Sequence, residues 1–156
     1  MMWSKRGQAL VLSFLAIAAC HREDPAYGAL QSRGAVAMGV NQYTSSHRFD
    51  PLPDGGRIAL ERDVDDSAGV AQIRRHLQES AVAFAQGRFD TPAFVHAETV
   101  PGTTVMAARA SAIRYHYRDL PRGGEVRIVS DDSVAVAAIH GFLAFQRKDH
   151  RVGIKH

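Results

Sequence analysis

The strongest constraint on this chain lies between Ala112 and Asp149, where two alternating segments, a tight turn and a long apolar segment follow one another without interruption. Ile113, Tyr115 and Tyr117 alternate with Arg114, His116 and Arg118, and after Leu120-Pro121-Arg122-Gly123-Gly124 the alternation resumes at Val126 and Ile128. Alternation of this kind on both sides of Pro and Gly residues predicts a β-hairpin. Ser130, Asp131 and Asp132 then offer oxygens to cap exposed amides at the positive end of a helix dipole, and the apolar run from Val134 to Phe145 follows directly. The segment reads as one ββα unit.

A second copy of this grammar stands upstream. Leu52-Pro53-Asp54-Gly55-Gly56 leads into Ile58 and Leu60, then Asp65-Asp66-Ser67, then a helix in which Val70, Ile73 and Leu77 repeat the spacing of Val136, Ile139 and Leu143. The interval between turn and helix is unequal in the two copies, so the match can be an internal repeat (42–86 and 112–149) or convergence on common turn and capping signals. Two such units are expected to form an α/β (α+β) fold, a four-stranded, mainly antiparallel sheet with two helices on one face. Arg114, His116, Arg118, Glu125 and Arg127 then point away from the helices, as solvated surface or as a platform for an anion or partner. The expected core is Ile58, Leu60, Val70, Ile73, Leu77, Phe84, Ile113, Tyr115, Ile128, Ile139, Phe142 and Leu143.

The start of the chain carries a different message. Lys5 and Arg6 precede an eleven-residue apolar run from Ala9 to Ala19, short for a bilayer span and suited to the core of a signal peptide. It ends Ile17-Ala18-Ala19-Cys20, which resembles the lipobox of bacterial lipoproteins, an aliphatic residue and two small ones before the cysteine that is acylated. The resemblance covers only residues 1–20 and implies a signal peptide at 1–19, a lipid on Cys20, and an exported protein anchored in the cell envelope, on the periplasmic side or the cell surface. Cleavage at Ala18 or Ala19 by ordinary signal peptidase, or an uncleaved apolar helix, are the alternatives. Cys20 is the only cysteine, so a lipidated chain has no thiol left for catalysis, a disulfide or a metal.

Removal of residues 1–19 leaves 17 basic against 16 acidic residues and lowers the net charge from +3 to +1. The sequence pI of 9.4 is therefore in part a property of the leader, and a nucleic-acid partner is not expected. The membrane, through the lipid, is the expected partner, with an unidentified protein or small ligand beside it.

Residues 20–33 mix charge, Pro25 and Gly28 without a period and are expected to be a flexible tether, with a single domain over 34–156, in which Gly34 to Val40 enters a first strand where Tyr43, Ser45, His47 and Phe49 alternate with Thr44, Ser46 and Arg48. A helix is expected from Ser67 to Gln86, with Gly87 as its cap. The connection from Phe89 to Ala108 is long enough to hide a short element, for which Thr103 to Ala110 is the candidate.

No nucleophile elbow, phosphate loop, zincin motif or paired-cysteine site is present, and an enzyme is not the favoured reading. Gly55-Gly56 and Gly123-Gly124 are expected to supply positive φ in hairpin turns. Carboxylate–imidazole pairs Asp149–His150 and Asp119–His116 are possible, although adjacent residues on a helix or strand seldom point the same way. The compositional excess is histidine, eight in all, and imidazole suits zinc or copper. If there is a metal site, His76 and His140 on two neighbouring helices are expected to form it, with His47 or His96 completing it. His116 is expected in solvent, and His140 and His150 lie too far apart along one helix to share an ion. A non-catalytic binding or interaction module ranks ahead of the metal-binding alternative.

Overall fold

The computed structural model describes residues 24–152. The leader, Cys20 and residues 21–23 lie outside the described residues, so the lipobox expectation falls on a part of the chain that is not described. The first described element overturns two expectations: residues 25–33 are helical, not a tether, and residues 34–38 finish that helix instead of opening a strand. Helix α1 (Pro25–Met38) starts because the Asp24 side chain accepts the Ala26 amide, with Pro25 in the first turn, and stops at Gly39, whose φ is 70°. Its residues are mostly small, so no apolar stripe marked it in the sequence, yet Leu30 and Met38 are buried. A 3-10 turn (Gln42–Thr44) then leads into the sheet, leaving Tyr43 outside the strand and 59% exposed.

Strands β1 (Ser45–Leu52), β2 (Gly55–Arg62), β3 (Ile113–Leu120) and β4 (Gly123–Ser130) form one antiparallel sheet in the order β1-β2-β4-β3. The register is two-fold symmetric. Every pairing of the first hairpin, from Ser45 opposite Arg62 to Leu52 opposite Gly55, has a counterpart in the second, from Ile113 opposite Ser130 to Leu120 opposite Gly123. Across the central pair, Ile58 faces Val126, its own counterpart, while Gly56 faces Ile128 and Leu60 faces Gly124. The turns are stitched in the same symmetric way, the Ser130 amide donating to the Asp54 carbonyl and the Arg62 amide to the Arg122 carbonyl, each at 2.9 Å. The copies differ between strand and helix, where three residues separate Arg62 from the capping Asp66 but only Asp131 separates Ser130 from the capping Asp132.

The paired glycines serve close approach more than turning. The turn residues are Pro53-Asp54 and Pro121-Arg122, and of the four glycines beside them Gly55 alone has a positive φ, 142°. A Cβ on Gly55 would lie 2.2 Å from the Ile128 carbonyl oxygen, and one on Gly123 would lie 1.9 Å from the Leu60 carbonyl oxygen. The central strands can pair along their length only because these counterpart positions lack a side chain.

Helices α2 (Ser67–Ala85) and α5 (Ser133–Asp149) both cover the same face of the sheet, and Asp66 and Asp132 cap them as the sequence suggests. Ile73, Leu77, Phe84, Ile139, Phe142 and Leu143 are buried against Leu60, Val126 and Ile128, as the apolar stripes predict. The helices do not lie side by side, however. Helix α2 rests on β3 and β4 and α5 on β1 and β2, each over the hairpin of the other copy, and Phe84 of α2 meets Phe142 of α5 edge-on with ring centroids 6.1 Å apart. The gap they straddle is roofed from the long connection, which holds two short helices, α3 (Asp90–His96) and α4 (Thr103–Ala108). α4 packs on α5, and α3 packs on α1, where Arg33 Nε donates to the Val95 carbonyl at 2.7 Å.

The opposite face of the sheet carries Arg114, His116, Arg118, Glu125 and Arg127, as expected. It is a grid of ion pairs: Arg48–Glu61, Arg57–Asp50, Arg118–Glu125, Arg127–Asp54 and Arg114–Asp131. All five arginines have carboxylate partners, and Glu125 is buried in spite of its position. This favours a solvated, self-neutralised surface over an anion platform.

Candidate functional site

The gap between α2 and α5 leaves a cavity of about 80 Å³ above the centre of the sheet. Its floor is Phe49, Ile58, Leu60 and Val126, and its side walls are two ladders at four-residue spacing, His76-Ser80-Phe84 on α2 and Phe142-Gln146-His150 on α5 and its C-terminal cap. The ladders occupy equivalent positions in the two ββα copies and face each other. Thr91, Pro92, Val95 and His96 of α3 close one side and Met38 of α1 reaches in beside them. The cavity is thus built by the pseudo-symmetry, because two helices displaced onto opposite hairpins leave a channel along the axis.

Four imidazoles line it, those of His47, His76, His96 and His150. His47 stacks on His150 with ring centroids 4.8 Å apart, and His150 meets His96 edge-on at 5.1 Å. Phe49 flanks both His47 and His150. Desolvation, reinforced by the nearby His76, pushes the pKa of His47 down to about 4. Desolvation, followed by the neighbouring His47 and His96, pushes that of His150 down to about 3, against an opposing pull from Asp149. His76 is lowered too, by burial, with Glu79 and a backbone hydrogen bond at Ala37 opposing. At neutral pH the rings of His47, His76 and His150 are therefore uncharged.

One of these rings has unfilled hydrogen-bonding capacity. Among the described residues, the enclosed His47 Nε2 meets no hydrogen-bond partner. His96 is the reverse case, because Nδ1 is held by Asp149 Oδ2 and Nε2 by Gln146 Oε1 at 2.9 Å, so neither nitrogen is free to ligate.

The expected metal set is therefore divided. His47, His76 and His96 do converge on one cavity, but His140 does not join them, because its Nε2 meets the Leu52 carbonyl at 2.8 Å at the other end of β1. His140 is a helix side chain bonded to backbone, and the idea of two helices closing on one ion fails because α2 and α5 straddle the gap. Among the described residues, no group of three or more His, Cys, Asp or Glu side chains is placed to hold a metal ion. Neither sequence-adjacent pair forms: Asp149 holds His96, and Asp119 accepts from Tyr117 Oη at 2.6 Å and pairs with Arg74. His116 is exposed, as expected.

Sequence reasoning missed His150, Gln146, Ser80 and Thr91. The signal for the first three was present as four-residue ladders at equivalent places in the two copies, but a ladder containing Phe84 and Phe142 reads as core unless the helices are known to stand apart.

No protein-family description matches the chain, and neither does any curated protein or solved structure. Among the described residues, no helix is long and apolar enough to cross a membrane.

Proposed function

We propose that the chain is an exported cell-envelope lipoprotein whose domain is a non-catalytic binding module, and that the cavity between α2 and α5 takes the apolar end of a small, uncharged, hydroxyl-bearing molecule. The observation that carries this reading is the enclosed His47 Nε2, without a hydrogen-bond partner among the described residues, at the edge of a mostly apolar cavity. Concave, mostly apolar sites with a few convergent polar groups are the usual form of small-ligand sites. A hydroxyl both donates and accepts, so it satisfies His47 Nε2 in either tautomer. A carboxylate is disfavoured, since the rings of His47, His76 and His150 are uncharged at neutral pH and burial of an unpaired charge is costly. The cavity is about half the roughly 150 Å³ void that encloses benzene, which suits a short alkyl end and not a fused ring system. The lipobox resemblance at Ile17-Ala18-Ala19-Cys20 supports export and anchoring.

Calorimetric titration of 1-hexanol and hexanoate into the processed chain at pH 7 tests the reading. Hexanol is expected to bind saturably and hexanoate far more weakly. His47→Phe keeps the ring and strands the hydroxyl, at about 1–3 kcal/mol, so hexanol should weaken roughly tenfold. Absence of saturable heat with hexanol, or equal binding of both compounds, would overturn it.

A further inference from the structure

We propose that the His47–His150 end of the domain is held against the membrane surface, so that the cavity receives its ligand from the bilayer; this rests on the anchoring and cavity readings above. The replacement of a long tether by α1 motivates it. Only three residues separate Cys20 from Asp24, the capping residue of α1, and the four Cα-to-Cα steps between them span at most about 14 Å. A lipid on Cys20 therefore fixes where the domain sits.

Asp24 fixes which end of the domain that is. Its carboxylate pairs with Arg151, whose guanidinium lies 4.2 Å above the centre of the Tyr27 ring. Arg151 follows His150 directly, and His47 and His150 form both the inner wall of the cavity and the wall of a surface groove shared with Tyr27, Gln31, Tyr43 and Arg151. The anchor, the groove and the two unprotonated imidazoles thus lie at one end of the molecule.

The chemistry of that end suits an anionic leaflet. Tyr27 and Tyr43 are amphipathic rings of the kind found at the headgroup level. Arg147 and Lys148, both exposed, lie in the last turn of α5, where cations are favoured by the helix dipole and attracted by anionic lipid. His47 and His150 then separate the apolar cavity from the headgroup region, and a membrane-dissolved alcohol can pass through the groove with its alkyl end leading.

The test places a reporter at each end of one helix. Lys148→Cys and Val134→Cys, both at exposed positions of α5, are labelled with bimane in the lipid-bearing chain. The labelled chains are then reconstituted in vesicles of phosphatidylethanolamine and phosphatidylglycerol containing doxyl lipid. The positions are about 21 Å apart along the axis, so the label at 148 is expected to be quenched roughly twofold or more over that at 134. Equal or reversed quenching overturns the orientation. Absence of lipid at Cys20 in the purified chain also overturns it while leaving the hexanol titration, done in solution, to judge the cavity separately.

Discussion

The imidazole of His150 lies flat against that of His47, with centroids 4.8 Å apart and planes inclined by 21°. This contact joins the last turn of α5 to the edge strand β1 and closes the cavity at one end. Both rings are neutral at pH 7 because burial opposes their charging, so the closure depends on pH. Each ring has a folded-state pKa below its unfolded value near 6.5, so folding is favoured fully above that value and progressively less below it. We expect stability in urea to be flat above about pH 7 and to fall between about pH 6.5 and 4, by up to roughly 1.4 kcal/mol per pH unit for each ring. His150→Phe, which keeps a flat ring and removes one titration, should make that slope shallower. An unchanged slope in the variant would place the acid sensitivity elsewhere.

The two close-approach glycines should tolerate no side chain. Gly123→Ala puts a methyl into the Leu60 carbonyl, and Gly55→Ala puts one into the Ile128 carbonyl from a backbone with φ of 142°. Overpacking costs about 1–3 kcal/mol, and Gly55 should lose more than Gly123 because strain adds to the clash. Gly141, exposed on α5 with nothing within 4 Å of an added Cβ, gives the opposite sign. There alanine should stabilise by about 0.5–1 kcal/mol through helix propensity. Urea midpoints of the three variants check all of this.

Arg62 is a buried guanidinium, 6% exposed, and it ties three segments together. It donates to Ser45 Oγ at 2.6 Å, to the Asn41 carbonyl at 2.9 Å and to Asp66 Oδ2 at 3.1 Å, and Asp66 in turn caps α2. Arg62→Met keeps the stem but strands these acceptors, so unfolding free energy should drop by on the order of 3 kcal/mol. A loss below about 0.5 kcal/mol, the range of an ordinary surface change, would mean that water replaces the guanidinium without cost.

Ile139 is fully buried at the centre of α5, as its place in the apolar stripe predicts. Ile139→Ala should cost about 2–5 kcal/mol. Thermal or urea unfolding decides, and a near-zero change would contradict the packing of α5 on the sheet.

The hairpins, the two long helices and most of the core were legible because they rest on local signals: alternation in β3, Pro-containing turns, the caps Asp66 and Asp132, and the stripe Ile73-Leu77-Phe84. Helix α1 was not legible, because Ala26, Gly28, Ala29, Gly34 and Ala35 give a helix with no apolar face to recognise. His47, His76 and His96 were singled out in the sequence only as companions of His140, His47 and His76 from their places beside apolar residues and His96 from its place in the long connection, and the exchange of His140 for His150 was not legible. That exchange depends on the straddling of the sheet by α2 and α5, a tertiary fact. The bond from His140 to the Leu52 carbonyl is equally non-local.

The central claim is that the cavity is a ligand site, and chemical-shift mapping during a hexanol titration of the isotope-labelled processed chain at pH 7 tests it most directly. The account predicts saturable shifts confined to Met38, His47, Val126, Phe142 and His150, and their loss in Thr91→Trp, whose indole fills the cavity from its rim. Linear, unsaturable shifts spread over the surface, or the same saturable shifts persisting in Thr91→Trp, would contradict it.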